Sequence, residues 1–351
     1  MRRIRRWALH TTTTTAAVLT LTAGPALACG GLVGANGTIE LGKTTTLAAY
    51  ADGVQRYVTA FEFSGEGEEV GSIIPLPDVP TDVTRAGDWT LQRLVREVNP
   101  PEPTRFDAFE ETAEAAGGAE VLFETEVDAL DLTVLRGGAD EVGRWAVDNG
   151  FFLTPDAPEV LDFYAARSEI FLAAKFDASR AADLGQGSGD STPIMLTIPT
   201  DRPWVPLRIL SMGLDSGKTV EADVFLLTEG KPQLLAGGRG LGLERSEWAD
   251  DALLADLRSD ENMDWMPQRM WLSYLPLDVR AEDLTYDLAI STEPGVHPSL
   301  DDVGIELASA AVTPRAPVTL RDWWPAAVAL AVGAGVWLLA SAIRRLTQAP
   351  S

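Results

Sequence analysis

Thr44-Thr-Thr-Leu-Ala-Ala-Tyr-Ala51, then Asp52-Gly53, then Val54-Gln-Arg-Tyr-Val-Thr-Ala-Phe-Glu-Phe63 read as strand, turn and strand. Thr, Val, Tyr and Phe fit the pleated backbone. Asp-Gly supplies the two positive-φ positions of a two-residue hairpin turn. An antiparallel hairpin therefore lies near the start of the chain. Asn36-Gly37 is a second turn signal of the same kind just upstream.

Downstream, Val70 to Ile74 reads as a strand stopped by Pro75-Leu-Pro77. A helix is expected from Trp89 to Val98, capped by Asp88, with Leu91, Leu94, Val95 and Val98 on its apolar face. Pro100, Pro101 and Pro103 end it and mark a candidate boundary near 100–118. Strands follow at Val121–Val127 and Leu130–Leu135. A helix over Asp140–Asn149 stops at Gly150, and a second covers Pro158–Arg167. Ile170–Phe176, Pro193–Ile198, Val205–Met212 and Val220–Thr228 read as strands, with a Gly/Ser loop at Asp183–Asp190. Val220, Ala222, Val224 and Leu226 share one strand face, with Glu221 and Asp223 opposite. A helix is expected over Glu244–Arg258 and a late strand over Leu284–Ile290. Interspersed strands and helices with antiparallel hairpins predict an α+β class, its sheets mixed or mostly antiparallel.

The two ends carry addresses rather than fold. Arg2, Arg3, Arg5 and Arg6 precede an uncharged stretch that closes on Ala26-Leu-Ala28-Cys29. That is the basic, apolar and small-residue order of a signal peptide over 1–28, cleaved after Ala28. Cys29 then becomes the first residue of the mature chain, as a lipid attachment point, a free thiol or an intermolecular disulfide partner. It is the one cysteine, so an internal disulfide is excluded. Trp323 to Ile343 is uncharged over 21 residues. As a helix it would be roughly 31 Å long, matching the hydrocarbon core of a bilayer. Trp323 and Trp324 suit one interface, and Arg344 and Arg345 hold the tail on the cytoplasmic side. The expected order is signal, exported α+β region over 29–290, juxtamembrane stalk over 291–322, transmembrane helix over 323–343 and cytoplasmic tail over 344–351. The partner implied directly is the cell membrane.

The chain has 52 Asp and Glu against 28 Lys and Arg. Six of those basic residues lie at the two ends, so residues 29–322 hold every acid and 22 bases. Such a body repels nucleic acid, which is therefore not expected as a partner.

Several stretches resemble a family of exported, often membrane-tethered bacterial proteins known as a domain of unknown function. They are Ala28-Cys-Gly-Gly31, Ser72-Ile-Ile-Pro-Leu-Pro77, Trp145-x-x-Asp-Asn-Gly-Phe151, Tyr164, Phe171-x-x-x-Lys175, Pro193-Ile194 and Thr200-Asp-Arg-Pro-Trp-Val-Pro-Leu-Arg208. They run in order from about residue 28 to 230. The resemblance implies export and tethering but no reaction. The family pattern carries a second Cys soon after the first, which this chain lacks.

The inventory for catalysis is thin. A histidine-based triad needs a base, and the two histidines are His10, in the signal, and His297, in the expected stalk. Zinc prefers His and Cys. No cofactor is expected. Calcium is the ion that oxygen ligands suit, and Asp250-Asp251, Asp260-Glu261 and Asp301-Asp302 are the acid pairs, none in a spaced calcium loop. Gly238-Arg-Gly-Leu-Gly242 departs from the dinucleotide spacing and reads as a loop. Trp265, Met266, Met270, Trp271 and Tyr274 read as core. Trp265, Trp271 and Tyr274 are also the candidate binding patch. The expected function is a binding or scaffolding ectodomain for an envelope ligand or protein. The alternative is a hydrolase of envelope glycans working through paired carboxylates.

Overall fold

The computed structural model describes residues 31–34, 43–62, 70–99, 120–186 and 191–305. The signal region, Ala28 and Cys29, the candidate boundary near 100–118, and residues 323–351 with Trp323, Trp324, Arg344 and Arg345 lie outside them. Among the described residues no helix is long and apolar enough to cross a membrane. The strands are β1 (Gly31–Gly34), β2 (Thr44–Ala51), β3 (Val54–Glu62), β4 (Val70–Leu76), β5 (Asp82–Arg85), β6 (Glu120–Val127), β7 (Leu130–Arg136), β8 (Ile170–Phe176), β9 (Ser191–Pro199), β10 (Trp204–Val205), β11 (Thr219–Thr228), β12 (Gln233–Ala236), β13 (Arg245–Trp248), β14 (Trp271–Arg280) and β15 (Leu288–Ser291). The helices are α1 (Thr90–Val98), α2 (Ala139–Asp148), α3 (Ala157–Ala165), α4 (Ala178–Leu184) and α5 (Asp251–Ser259). The class is α+β with mostly antiparallel sheets.

The Asp52-Gly53 hairpin organises the largest sheet. Both turn residues have positive φ, 52° and 74°, and β2 pairs with β3 from Ala51↔Val54 out to Thr46↔Thr59. The sheet runs β13-β14-β11-β2-β3-β9-β5. Its β2–β11 pair is parallel, which makes the sheet mixed. A second sheet runs β1-β4-β8-β7-β6 and a third β10-β15-β12.

The large sheet is buried on both faces. Leu47, Ala49, Val58, Phe225, Leu227 and Leu272 face α1 and α5, which contribute Leu91, Leu94, Leu253, Leu254 and Leu257. The other face carries Ala48, Tyr57, Val220, Ala222, Val224 and Leu226 into a core shared with the second sheet, α2 and α3. The expected alternation along β11 holds, but Asp223 is not on a solvent face. It is 2% exposed beside Phe225 and is held by Lys43 (2.9 Å) and the Tyr274 hydroxyl (2.7 Å).

Four expectations are corrected. Glu244–Arg258 is not one helix: β13 occupies Arg245–Trp248, and α5 begins only after Asp250, whose carboxylate caps it by accepting the Ala252 N–H at 2.9 Å. Val205–Met212 is not one strand. β10 is two residues long and Arg208–Ser211 forms a 3-10 turn after Pro206. The late strand starts at Leu288, because Ala281–Asp283 takes a 3-10 turn first. Asp88 does not cap α1 but pairs with Arg85. The first turn of α1 is instead met by Asp260, which accepts from the Trp89 N–H (3.1 Å) and the Thr90 hydroxyl (2.8 Å). Of the segment expected as a stalk, residues 306–322 lie outside the described residues, and the part before them carries one short turn. Asp301–Val303 is a 3-10 turn, and Val303 is fully buried.

A buried ionic cluster and an aromatic ledge as candidate sites

The motif residues Tyr164, Trp204, Leu207 and Arg208 meet around Asp287, a residue that no motif marks. Asp287 precedes β15 and is 0% exposed. An ionised carboxylate there requires donors, and it has four. The Tyr164 hydroxyl donates at 2.8 Å, the Leu207 and Arg208 N–H groups at 2.7 and 3.0 Å, and the Arg167 guanidinium forms an ion pair. Tyr164 accepts in turn from the Ile209 N–H at 2.8 Å. Burial first, and the Asp287 charge second, push the Tyr164 hydroxyl well above its usual pKa.

α3 builds one wall. It presents Leu161 and Tyr164 to the core, and the chain turns immediately after it to bring Arg167 over three rings. The guanidinium lies 4.6 Å from Phe163, 5.3 Å from Tyr164 and 4.8 Å from Trp204, with Tyr164 and Trp204 stacked at 5.7 Å. Gln55 fixes Trp204 from the large sheet, donating to its carbonyl (3.0 Å) and accepting from its N–H (3.2 Å). Arg167 also donates to the Asp302 carbonyl at 2.9 Å. The Arg208 guanidinium also lies 4.4 Å from the Phe163 ring, and it pairs with Glu159. It opens on a cleft of about 600 Å³ lined by Phe152, Asp156, Glu159, Arg208, Asp215 and Glu282. Three of those carboxylates are engaged: Asp156 by the Gly213 N–H at 2.9 Å, Glu159 by Arg208 and Glu282 by Arg280.

The candidate patch does not form as one surface. Tyr274 is 5% exposed and stacks on Phe225 at 5.0 Å. Trp265 packs against the same α1–α5 core, with the Arg56 guanidinium 4.5 Å from its ring. Trp271 stands three residues before Tyr274 on β14 and so points to the opposite face. There it meets Trp248, which belongs to the stretch expected as a helix. Ala249 N–H donates to the Met270 carbonyl at 2.9 Å. The neighbouring pair Trp248↔Trp271 is therefore a non-hydrogen-bonded one, in which side chains approach most closely. The rings lie edge to face at 5.3 Å. Trp248 is 42% exposed. The Arg269 guanidinium lies 3.8 Å from the Trp248 ring, and the Lys231 ammonium 5.9 Å from the Trp271 ring. Arg245-Ser-Glu-Trp248 carries no period that marks it as a strand; the local cue is the Asp250 helix cap just after it.

The acid pairs considered for calcium have structural partners. Asp250 caps α5, and Asp260 accepts from the Trp89 N–H and the Thr90 hydroxyl at the start of α1. Asp302 accepts from the Ser299 N–H and hydroxyl at 2.6 and 2.7 Å. Among the described residues no group of three or more His, Cys, Asp or Glu is placed to hold a metal ion. His297 lies in the loop after β15.

These features define a mixed-sheet α+β body, locked by a buried Arg–Asp pair and edged by an aromatic–cationic ledge. A family described as "Uncharacterized protein conserved in bacteria (DUF2330)" matches residues 23–229, and the chain belongs to it. No curated protein matches the chain. Among solved structures it is similar to baculovirus P35 after caspase cleavage, at 8% identity and a TM-score of 0.39, over 72% of this chain and 100% of that one. The caspase-8/P35 complex matches at 7% identity and a TM-score of 0.34, over 72% and 92%.

Proposed function

We propose that this chain is a cell-surface protein, exported by its N-terminal signal and tethered by a helix over 323–343, that works by binding an envelope component. The observation that carries the reading is the Trp248–Trp271 ledge, where two indoles and two cations are presented on the edge of the largest sheet. Exposed aromatic groups flanked by charge are the residue types that dominate binding surfaces. The aromatic residues beneath α1 and α5 and around Arg167 support the fold instead. No cofactor is part of the proposal.

Two measurements on cells test it. Deleting Arg321–Ser351 is expected to release the protein into the medium, because one helix carries the attachment. Retention in the membrane fraction would assign the anchor to Cys29 or to an uncleaved N-terminus. Trp248→Ala in the full chain is expected to lower co-sedimentation with isolated envelope fragments while leaving the melting temperature unchanged. Undiminished co-sedimentation would remove the ledge as the binding site.

A further inference from the structure

We infer that the ledge binds a carboxylated polysaccharide, a polyuronate, with sugar rings on the exposed indole surface and carboxylates on Arg269 and Lys231. The inference rests on the binding reading above and adds the chemical class of the ligand.

The first argument is charge. The chain has nearly twice as many acids as bases, and among the described residues most arginines are ion-paired: Arg85, Arg93, Arg136, Arg144, Arg167, Arg180, Arg208, Arg245 and Arg280 all have carboxylate partners. Arg269 and Lys231 are both exposed, and neither has a carboxylate partner among the described residues. The acids closest in sequence to Trp248 are engaged elsewhere. Glu247 pairs with Arg245 at 2.6 Å and Asp250 caps α5. Two uncommitted cations on so acidic a surface form a local site for an external anion.

The second argument is shape. Each cation sits against one of two touching indoles, Arg269 on Trp248 and Lys231 on Trp271. A single small anion needs one cation and no ring. A polymer that repeats ring and carboxylate matches cation, indole, indole, cation. The C–H faces of a pyranose carry partial positive charge and suit the electron-rich indole face.

The third argument is the edge. β13 is the terminal strand of its sheet. Because Trp248 stands at a non-hydrogen-bonded position, its N–H and C=O point away from β14. Those groups are available to sugar hydroxyls. β13 is four residues long with Arg245 and Glu247 on it, and short, charged edges are built against the addition of a peptide strand.

The test is calorimetric titration of the full-length chain in detergent micelles with oligogalacturonate. Its methyl ester, polyglutamate and anionic lipid vesicles serve as comparison probes. Oligogalacturonate is expected to bind, with the ester and polyglutamate at least ~10-fold weaker. Arg269→Gln with Lys231→Gln, and separately Trp248→Ala, are each expected to weaken it by ~10-fold or more at an unchanged melting temperature. Equal binding of polyglutamate would make the ligand an acidic peptide. Binding to vesicles alone would make it a lipid surface. Indifference to the substitutions would place the site elsewhere. Each of these overturns the inference. If envelope fragments still bind through Trp248 and oligogalacturonate does not compete, the binding reading stands and the polyuronate falls. If Trp248 is irrelevant to both ligands, both fall.

Discussion

Asp287 carries more of the fold than any neighbour in sequence suggests. It joins α3, the turn after β10 and the segment after β15 through one carboxylate and the Arg167 it holds. Replacing it with Ala leaves the Arg167 charge and two N–H groups without their acceptor. Asp287→Ala is therefore expected to cost about 3–5 kcal/mol, read as a lower denaturant midpoint at unchanged slope. A loss below about 1 kcal/mol would show that water replaces the carboxylate. The residue was legible in principle, since an acid inside Leu284-Thr-Tyr-Asp-Leu-Ala-Ile290 asks for a buried partner. Its partners were not, because Tyr164 and Arg167 lie more than a hundred residues upstream and no local pattern pairs them.

At the scale of elements, Gly53 and Gly304 adopt similar backbone conformations in different surroundings. Gly53 has φ +74° in the hairpin turn, with open space where a Cβ would stand. Gly304 has φ +76°, and a Cβ there would run into the Phe163 ring. Gly53→Ala is expected to cost about 1 kcal/mol, from backbone strain alone. Gly304→Ala carries the same strain and must also displace Phe163 from its contacts with Arg167 and Arg208, so its cost exceeds that of Gly53→Ala. Equal costs in paired denaturant curves would show that the ring moves freely. The elements legible in the sequence are those with local signals. The Asp-Gly hairpin, the strands around residues 130 and 170, and the helix that stops at Gly150 all have them. β12 and β13 escape because four-residue strands are too short to show a period. α1 is legible but its cap is not, because the acid that meets its first turn, Asp260, comes from across the fold.

For the whole molecule, three tyrosines tie stability to alkaline pH. Burial raises the hydroxyls of Tyr164 and Tyr274, each also beside a carboxylate, and lifts Tyr286 to about 12. Unfolded tyrosines lose their protons near pH 10. Above that pH the folded state holds more protons than the unfolded one, so this stability is complete below about pH 10 and falls as pH rises. Each tyrosine contributes a slope of at most about 1.4 kcal/mol per pH unit in that window. Thermal melts between about pH 9 and 12 are expected to show the fall, and Tyr286→Phe to make it shallower. An identical slope in that variant would free Tyr286 from the linkage. The candidate site divides the same way as the fold. Trp271 is visible in the sequence as an aromatic in a dense run, but the face it occupies depends on strand parity. Lys231, Trp248 and Arg269 gather only through the β13–β14 pairing.

The segment from Ser299 to Ile305 is fastened by the Asp287 N–H to the Val303 carbonyl, by Arg167 to Asp302, and by the burial of Val303. A pull on the chain at Ile305 therefore does not begin by peeling a free edge. It is carried into the middle strand of the β10-β15-β12 sheet and into the turn behind α3. Tension at that end is shared between two elements before either gives way, so the body has a reinforced handle on the side from which its C-terminal continuation leaves.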